Sequence, residues 1–133
     1  MFKASTAMTR DPVAVSRDTC VYEAISLMVE NEVAGLPVVD ADGTVAGIIS
    51  EKDVLKLLYQ LEDGDATVEH FMTKDVVTFD EDDSLIDITE CFIANHFRRV
   101  IITSGGKIAG VVSRRDIIQY ILNLRKKKLV GAG

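Results

Sequence analysis

The sequence predicts an α+β fold in which two tandem βαββα repeats, each of about 60 residues, pack with pseudo-two-fold symmetry into one module. Three observations predict it. A set of residues recurs at constant spacing along the 133-residue chain. The apolar positions recur in phase with that set, and turn residues stand where each copy has to reverse.

Met8, Thr9, Asp11, Val13, Asp18 and Asn31 return 64 positions later as Met72, Thr73, Asp75, Val77, Asp82 and Asn95. After one deletion near a turn, Gly43, Ala46, Gly47, Ser50, Asp53 and Leu61 return 63 positions later as Gly106, Ala109, Gly110, Ser113, Asp116 and Leu124. In the first copy Val21, Ala24, Ile25, Met28 and Val29 follow the i, i+3, i+4, i+7, i+8 spacing of an amphipathic helix, as do Leu85, Ile88, Phe92 and Ile93 in the second. Thr19 and Asp83 are the expected start signals of these helices. LPVVD, a turn at ADG and VAGII then read as a hairpin, matched by VIIT, a turn at SGG and IAGVV. A short strand opens each copy and a helix closes it. A unit of this size buries little alone, so the copies are expected to pack face to face.

The closing stretches GIISEKD (47–53) and GVVSRRD (110–116) carry the most specific chemistry. Ser followed three residues later by Asp, ahead of an apolar run, is a capping box that satisfies the free N–H groups of a first helical turn. A carboxylate has only acceptors, and its two oxygens can take both hydroxyl protons of a vicinal diol, so the same Asp suits a ribose. The two readings are compatible.

Taken with Met8–Thr9 and Met72–Thr73, the LPVVD run at 36–40 and the DG turn, these stretches resemble tandem cystathionine beta-synthase (CBS) domains, the pairing called a Bateman module. The resemblance covers residues 8–61 and 72–124, with a linker at 62–71 and a basic tail, RKKKLVGAG, at 125–133. It implies that adenosine-containing ligands sit in two crossed clefts between the copies. One cleft would join Ser50, Lys52 and Asp53 to Val77, Arg98 and Arg99; the other would join Ser113, Arg115 and Asp116 to Val13 and Ala34. Arg114 stands among them as a further first-turn cation. Ile101 replaces the proline seen at Pro37, and Arg98–Arg99 replace Ala34–Gly35, so the two clefts are expected to differ.

Plainer roles compete for each residue. Val13 and Val77 could be core, Arg98 and Arg99 a charged strand edge, and Lys52, Arg114 and Arg115 solvated first-turn residues. The tail is read as lying beyond the last helix, with its cations complementing that helix's dipole.

Net charge of −6 and a sequence pI near 4.8 disfavour general attraction to nucleic acid or anionic membrane. No apolar run approaches the ~20 residues of a membrane span and the start shows no signal-peptide stretch, so a cytoplasmic location is expected. Cys20 and Cys91 have no CxxC partner, and His70 and His96 have no paired carboxylates, which argues against a structural metal, a disulfide framework or an enzyme. The expected function is a stand-alone regulatory module that needs no cofactor, binds AMP, ADP or ATP, forms a homodimer, and signals to a separate effector protein. The alternatives are a constitutive dimerisation or interaction module, and a binder of an S-adenosylmethionine-type ligand.

Overall fold

The computed structural model describes residues 2–59 and 66–132. Leu61, a member of the repeat, and positions 62–65 of the expected linker lie outside the described residues, as does Gly133. In chain order the elements are α1 (Ala4–Ala7), β1 (Thr9–Arg10), α2 (Val21–Asn31), β2 (Gly35–Val39), β3 (Val45–Ser50), α3 (Glu51–Leu55), β4 (Thr78–Asp80), α4 (Leu85–Ala94), β5 (Arg99–Ser104), β6 (Lys107–Ser113) and α5 (Arg114–Ala132). Short 3₁₀ turns occupy Lys56–Leu58 and Val68–His70. Helix, two strands and helix thus occur twice, as the periodicities require.

The chain folds as two compact units, and each incorporates the head of the other repeat. The first-repeat unit comprises Pro12–Val76 with Gly106–Ile108; the second-repeat unit comprises Met1–Asp11, Val77–Gly105 and Ala109–Gly133.

In the first-repeat unit, α2 buries Val21, Ala24 and Met28 against Leu36, Val38 and Ile49 of the hairpin. Val29, on the same expected stripe, is 72% exposed. The hairpin β2–β3 is antiparallel and turns at Gly43, whose φ of 88° suits a residue without a Cβ. Val15 bridges β2 in parallel at Val38, and Thr73 bridges β3 in antiparallel fashion at Ile48.

The second-repeat unit repeats this arrangement as a sheet of order β1-β6-β5-β4. β4 pairs in parallel with β5, and β1 pairs antiparallel with β6, Thr9 opposite Val111. Leu85, Ile88 and Phe92 of α4 pack with Val100, Ile102 and Val112. The N-terminal segment is fastened here too: Ala4 is fully buried, its N–H donates to Asp83 O at 2.8 Å, and the Phe2 ring meets Tyr120 edge-on at 5.8 Å.

Three local expectations are corrected. Helix α2 is N-capped by Cys20, not Thr19, whose Oγ1 instead accepts the Ser16 N–H at 3.1 Å. Helix α4 is capped by Ser84, whose side chain accepts from Ile86 N, while the Asp83 carboxylate accepts the Asp80 N–H. The cations of the tail lie inside α5, which continues through Arg125–Lys128 to Ala132. Leu, Arg and Lys are good helix formers, and neither Pro nor Gly interrupts them before Gly131.

Candidate functional site

In the first-repeat unit, β3 enters α3 at Ser50, whose extended backbone (φ −115°, ψ 168°) allows its side chain to fold over the first turn. The expected capping box is present. Ser50 Oγ accepts the Asp53 N–H at 3.3 Å, and Asp53 Oδ2 accepts from Ser50 N at 2.9 Å and Ser50 Oγ at 3.0 Å. A third residue joins it: Thr73 Oγ1 donates to Asp53 Oδ1 at 3.0 Å. Asp53 is only 6% exposed.

Thr73 reaches that position because Gly47 lets it. A Cβ on Gly47 would stand 2.5 Å from Thr73 O, closer than any side chain tolerates. With that space free, Ile48 and Thr73 exchange two backbone hydrogen bonds, N to O 2.9 and 2.8 Å, and Met72 is buried in the first-repeat core. The Met-Thr, Gly and Ser-x-x-Asp signatures are therefore parts of one latch.

The second-repeat unit builds the same latch with different proportions. Asp116 Oδ2 accepts the Ser113 N–H at 2.8 Å, and Ser113 Oγ accepts the Asp116 N–H at 3.0 Å. Thr9 Oγ1 donates to Asp116 Oδ1 at a longer 3.4 Å. A Cβ on Gly110 would lie 2.5 Å from Thr9 O. Asp116 is half-buried, more open than Asp53. Arg99, the first residue of β5, is half-buried and within electrostatic reach of it. Burial pushes the Arg99 guanidinium below its ordinary pKa, and the Asp116 charge draws it partly back.

The remaining candidates differ in exposure and in the unit to which they belong. Val13 and Val77 are 38% and 41% exposed and so are not core residues. Ala34 is half-buried and its carbonyl accepts the Glu51 N–H at 2.9 Å, while Lys52, Arg98 and Arg115 are exposed. Arg114 is turned onto the end of α4, where its guanidinium donates to Phe97 O at 2.8 Å and to Phe92 O and Asn95 O at 3.1 Å. Within single units the structure brings together Ser50 with Asp53 and Ser113 with Asp116; Arg99, grouped by the resemblance with Asp53, shares a unit with Asp116 and is within its electrostatic reach. The residues missed from sequence are Thr9 and Thr73. Their signal was present, since Met-Thr recurs with the Ser-x-x-Asp elements, but nothing in the spacing shows that each threonine serves the other repeat.

Among the described residues no cluster of three or more His, Cys, Asp or Glu is placed to hold a metal, and no helix is long and apolar enough to cross a membrane.

Comparison with known proteins gives this arrangement its context. An uncharacterized 17.7 kDa protein of Acidianus ambivalens is 36% identical over 92% of this chain and 74% of its own length. The inosine-5'-monophosphate dehydrogenase of Methanocaldococcus jannaschii is 36% identical over 88% of this chain, which spans only 23% of that enzyme. Among solved structures, CBSX2, a CBS-pair protein of Arabidopsis thaliana, in complex with AMP superposes with a TM-score of 0.85 at 27% identity, covering 94% of this chain and 99% of that one. The CBS-domain family profile matches residues 4–60 and again 68–123. With both copies matched and the paired fold shared, the chain belongs to the CBS-domain family.

Proposed function

We propose that this chain is a cytoplasmic regulatory CBS module that binds an adenosine nucleotide, AMP, ADP or ATP, and passes its occupancy to an effector protein without catalysing a reaction itself. The observation that carries the proposal is the Asp116 group. A partly exposed carboxylate, one oxygen of which among the described residues receives only the long Thr9 bond, retains acceptor capacity for the two hydroxyls of a ribose. It is within electrostatic reach of Arg99 and in the first turn of the nineteen-residue α5, where cation and helix dipole both favour a phosphate. Val77, exposed in the same unit, provides apolar surface suited to a purine. The complex of CBSX2 with AMP supports the ligand class.

Signalling requires that the nucleotide prefer one state of the module over another. A homodimer supplies such states. Ile93 (81% exposed), Ile118 (65%) and Ile121 (59%) leave an apolar strip on α4 and α5 that a second copy would cover.

Thermal unfolding with AMP, ADP and ATP tests the proposal. A ligand at ~100 times its Kd adds ~2.7 kcal/mol to the folded state. Absence of a shift with all three overturns the nucleotide reading and leaves a constitutive interaction module or a binder of an S-adenosylmethionine-type ligand.

A further inference from the structure

We infer that the two Ser-x-x-Asp elements have divided their work: Asp53 is a structural latch, Asp116 alone takes a ligand, and the chain binds one nucleotide instead of two. The inference rests on the nucleotide reading above and narrows it to one carboxylate.

The two Ser-x-x-Asp elements share one spacing, but the structure gives their carboxylates different surroundings. Asp53 receives three hydrogen bonds of 2.9–3.0 Å from Ser50 N, Ser50 Oγ and Thr73 Oγ1. At 6% exposure it has almost no surface left for a ribose to approach. Reaching it would mean displacing Thr73, which is also held by the paired backbone bonds to Ile48. Asp116 receives 2.8 Å from Ser113 N and 3.4 Å from Thr9 Oγ1, and it is partly exposed. A ligand hydroxyl can replace the weak Thr9 bond with a shorter one while the Ser113 bond holds the carboxylate in place.

The charge beside each carboxylate differs in the same sense. Position 99 is Arg, whereas the corresponding position in the first repeat is Gly35. A Cβ there would be 3.0 Å from Ile49 O, a tight contact that a side chain could occupy only if its neighbour gave way by a few tenths of an ångström. Helix α3, five residues long, offers a weaker dipole than α5, nineteen residues long. Accessibility, hydrogen-bond saturation and local charge all select Asp116.

Calorimetric titration of the full chain with AMP reads the division directly. The expected result is one AMP per chain, with Asp116→Asn weakening binding about 10- to 100-fold, the loss of a hydrogen bond to a charged group. Asp53→Asn should lower the Tm of the unliganded protein while keeping one AMP per chain within about threefold of the original affinity. Thr73→Val, which removes the latch donor and leaves the carboxylate, should behave as Asp53→Asn does and replaces it if that variant does not fold. Two equivalent AMP sites, undiminished affinity in Asp116→Asn, or a folded Asp53→Asn or Thr73→Val that has lost AMP would each overturn the division. A wild-type chain that binds neither AMP, ADP nor ATP overturns the nucleotide reading itself, a result distinct from two sites.

Discussion

Replacing Gly47 with Ala tests whether the head of the second repeat is held as described. In an ordinary strand this change stabilises by roughly 0.5–1 kcal/mol, because Gly loses the most backbone freedom on folding. Here the sign reverses. The new methyl would sit 2.5 Å from Thr73 O and 3.4 Å from Met72 Sδ, so the Met72–Thr73 segment has to withdraw. Withdrawal breaks the two Ile48–Thr73 backbone bonds and the Thr73–Asp53 bond. At ~1 kcal/mol for each neutral bond and ~1.5–3 for the one to a carboxylate, the loss is about 3–5 kcal/mol. For a chain of this size that lowers Tm by roughly 10–20 °C. Urea unfolding followed by circular dichroism measures it. Gly105→Ala is the control, since nothing lies within 4 Å of a Cβ there and only the positive φ of 59° opposes the change, costing ~1–2 kcal/mol. A Gly47→Ala protein as stable as the original, or no less stable than the Gly105 control, would refute the close-approach argument.

Other substitutions probe other links. Arg114→Met leaves the Phe92, Asn95 and Phe97 carbonyls without their donor and should cost about 2–3 kcal/mol in denaturant unfolding, with an AMP-induced stabilisation that persists. The carboxyl of Asp18, held by the Ser16 hydroxyl, and that of Asp42, held by the Thr44 backbone N–H, both titrate below their ordinary range. A depressed folded-state pKa gives stability that is present above the unfolded value of about 3.9 and lost as pH falls through the folded value, so Asp42→Asn should flatten the acid limb of the stability profile below pH ~4 and leave neutral pH nearly unchanged. Ile118→Asp should produce monomers in sedimentation velocity while far-UV circular dichroism stays native, and an unchanged sedimentation coefficient would exclude the α4–α5 strip from the dimer contact.

The repeat made most of the fold legible, because a duplicated pattern of apolar phases reports twice on the same buried faces. Val21, Ala24 and Met28 are buried as the spacing demands, and so are Leu85, Ile88 and Phe92. Val29 and Ile93 followed the same stripe but are exposed, since a short helix on a small sheet covers only part of a wide apolar face. Cap positions slipped by one residue, the scale on which Thr19 competes with its neighbours for local hydrogen bonds. The end of α5 was hidden by composition: four cations look like a solvated tail, yet their backbone propensity is helical.

At the candidate site the capping box was readable because it is local, three residues apart. The Thr73–Asp53 and Thr9–Asp116 contacts span 20 and 107 residues, and sequence pattern does not encode partners at such separations. Nor could spacing distinguish a carboxylate at 6% exposure from its partly exposed counterpart. That difference arises from how firmly each threonine is drawn in.

The exchanged heads carry an implication for ancestry. A polypeptide of half this length, holding one Met-Thr and one Ser-x-x-Asp, would reproduce these latches only by trading ends with an identical neighbour. Joining two such halves on one chain replaces an encounter that would depend on abundance with one guaranteed by the tether.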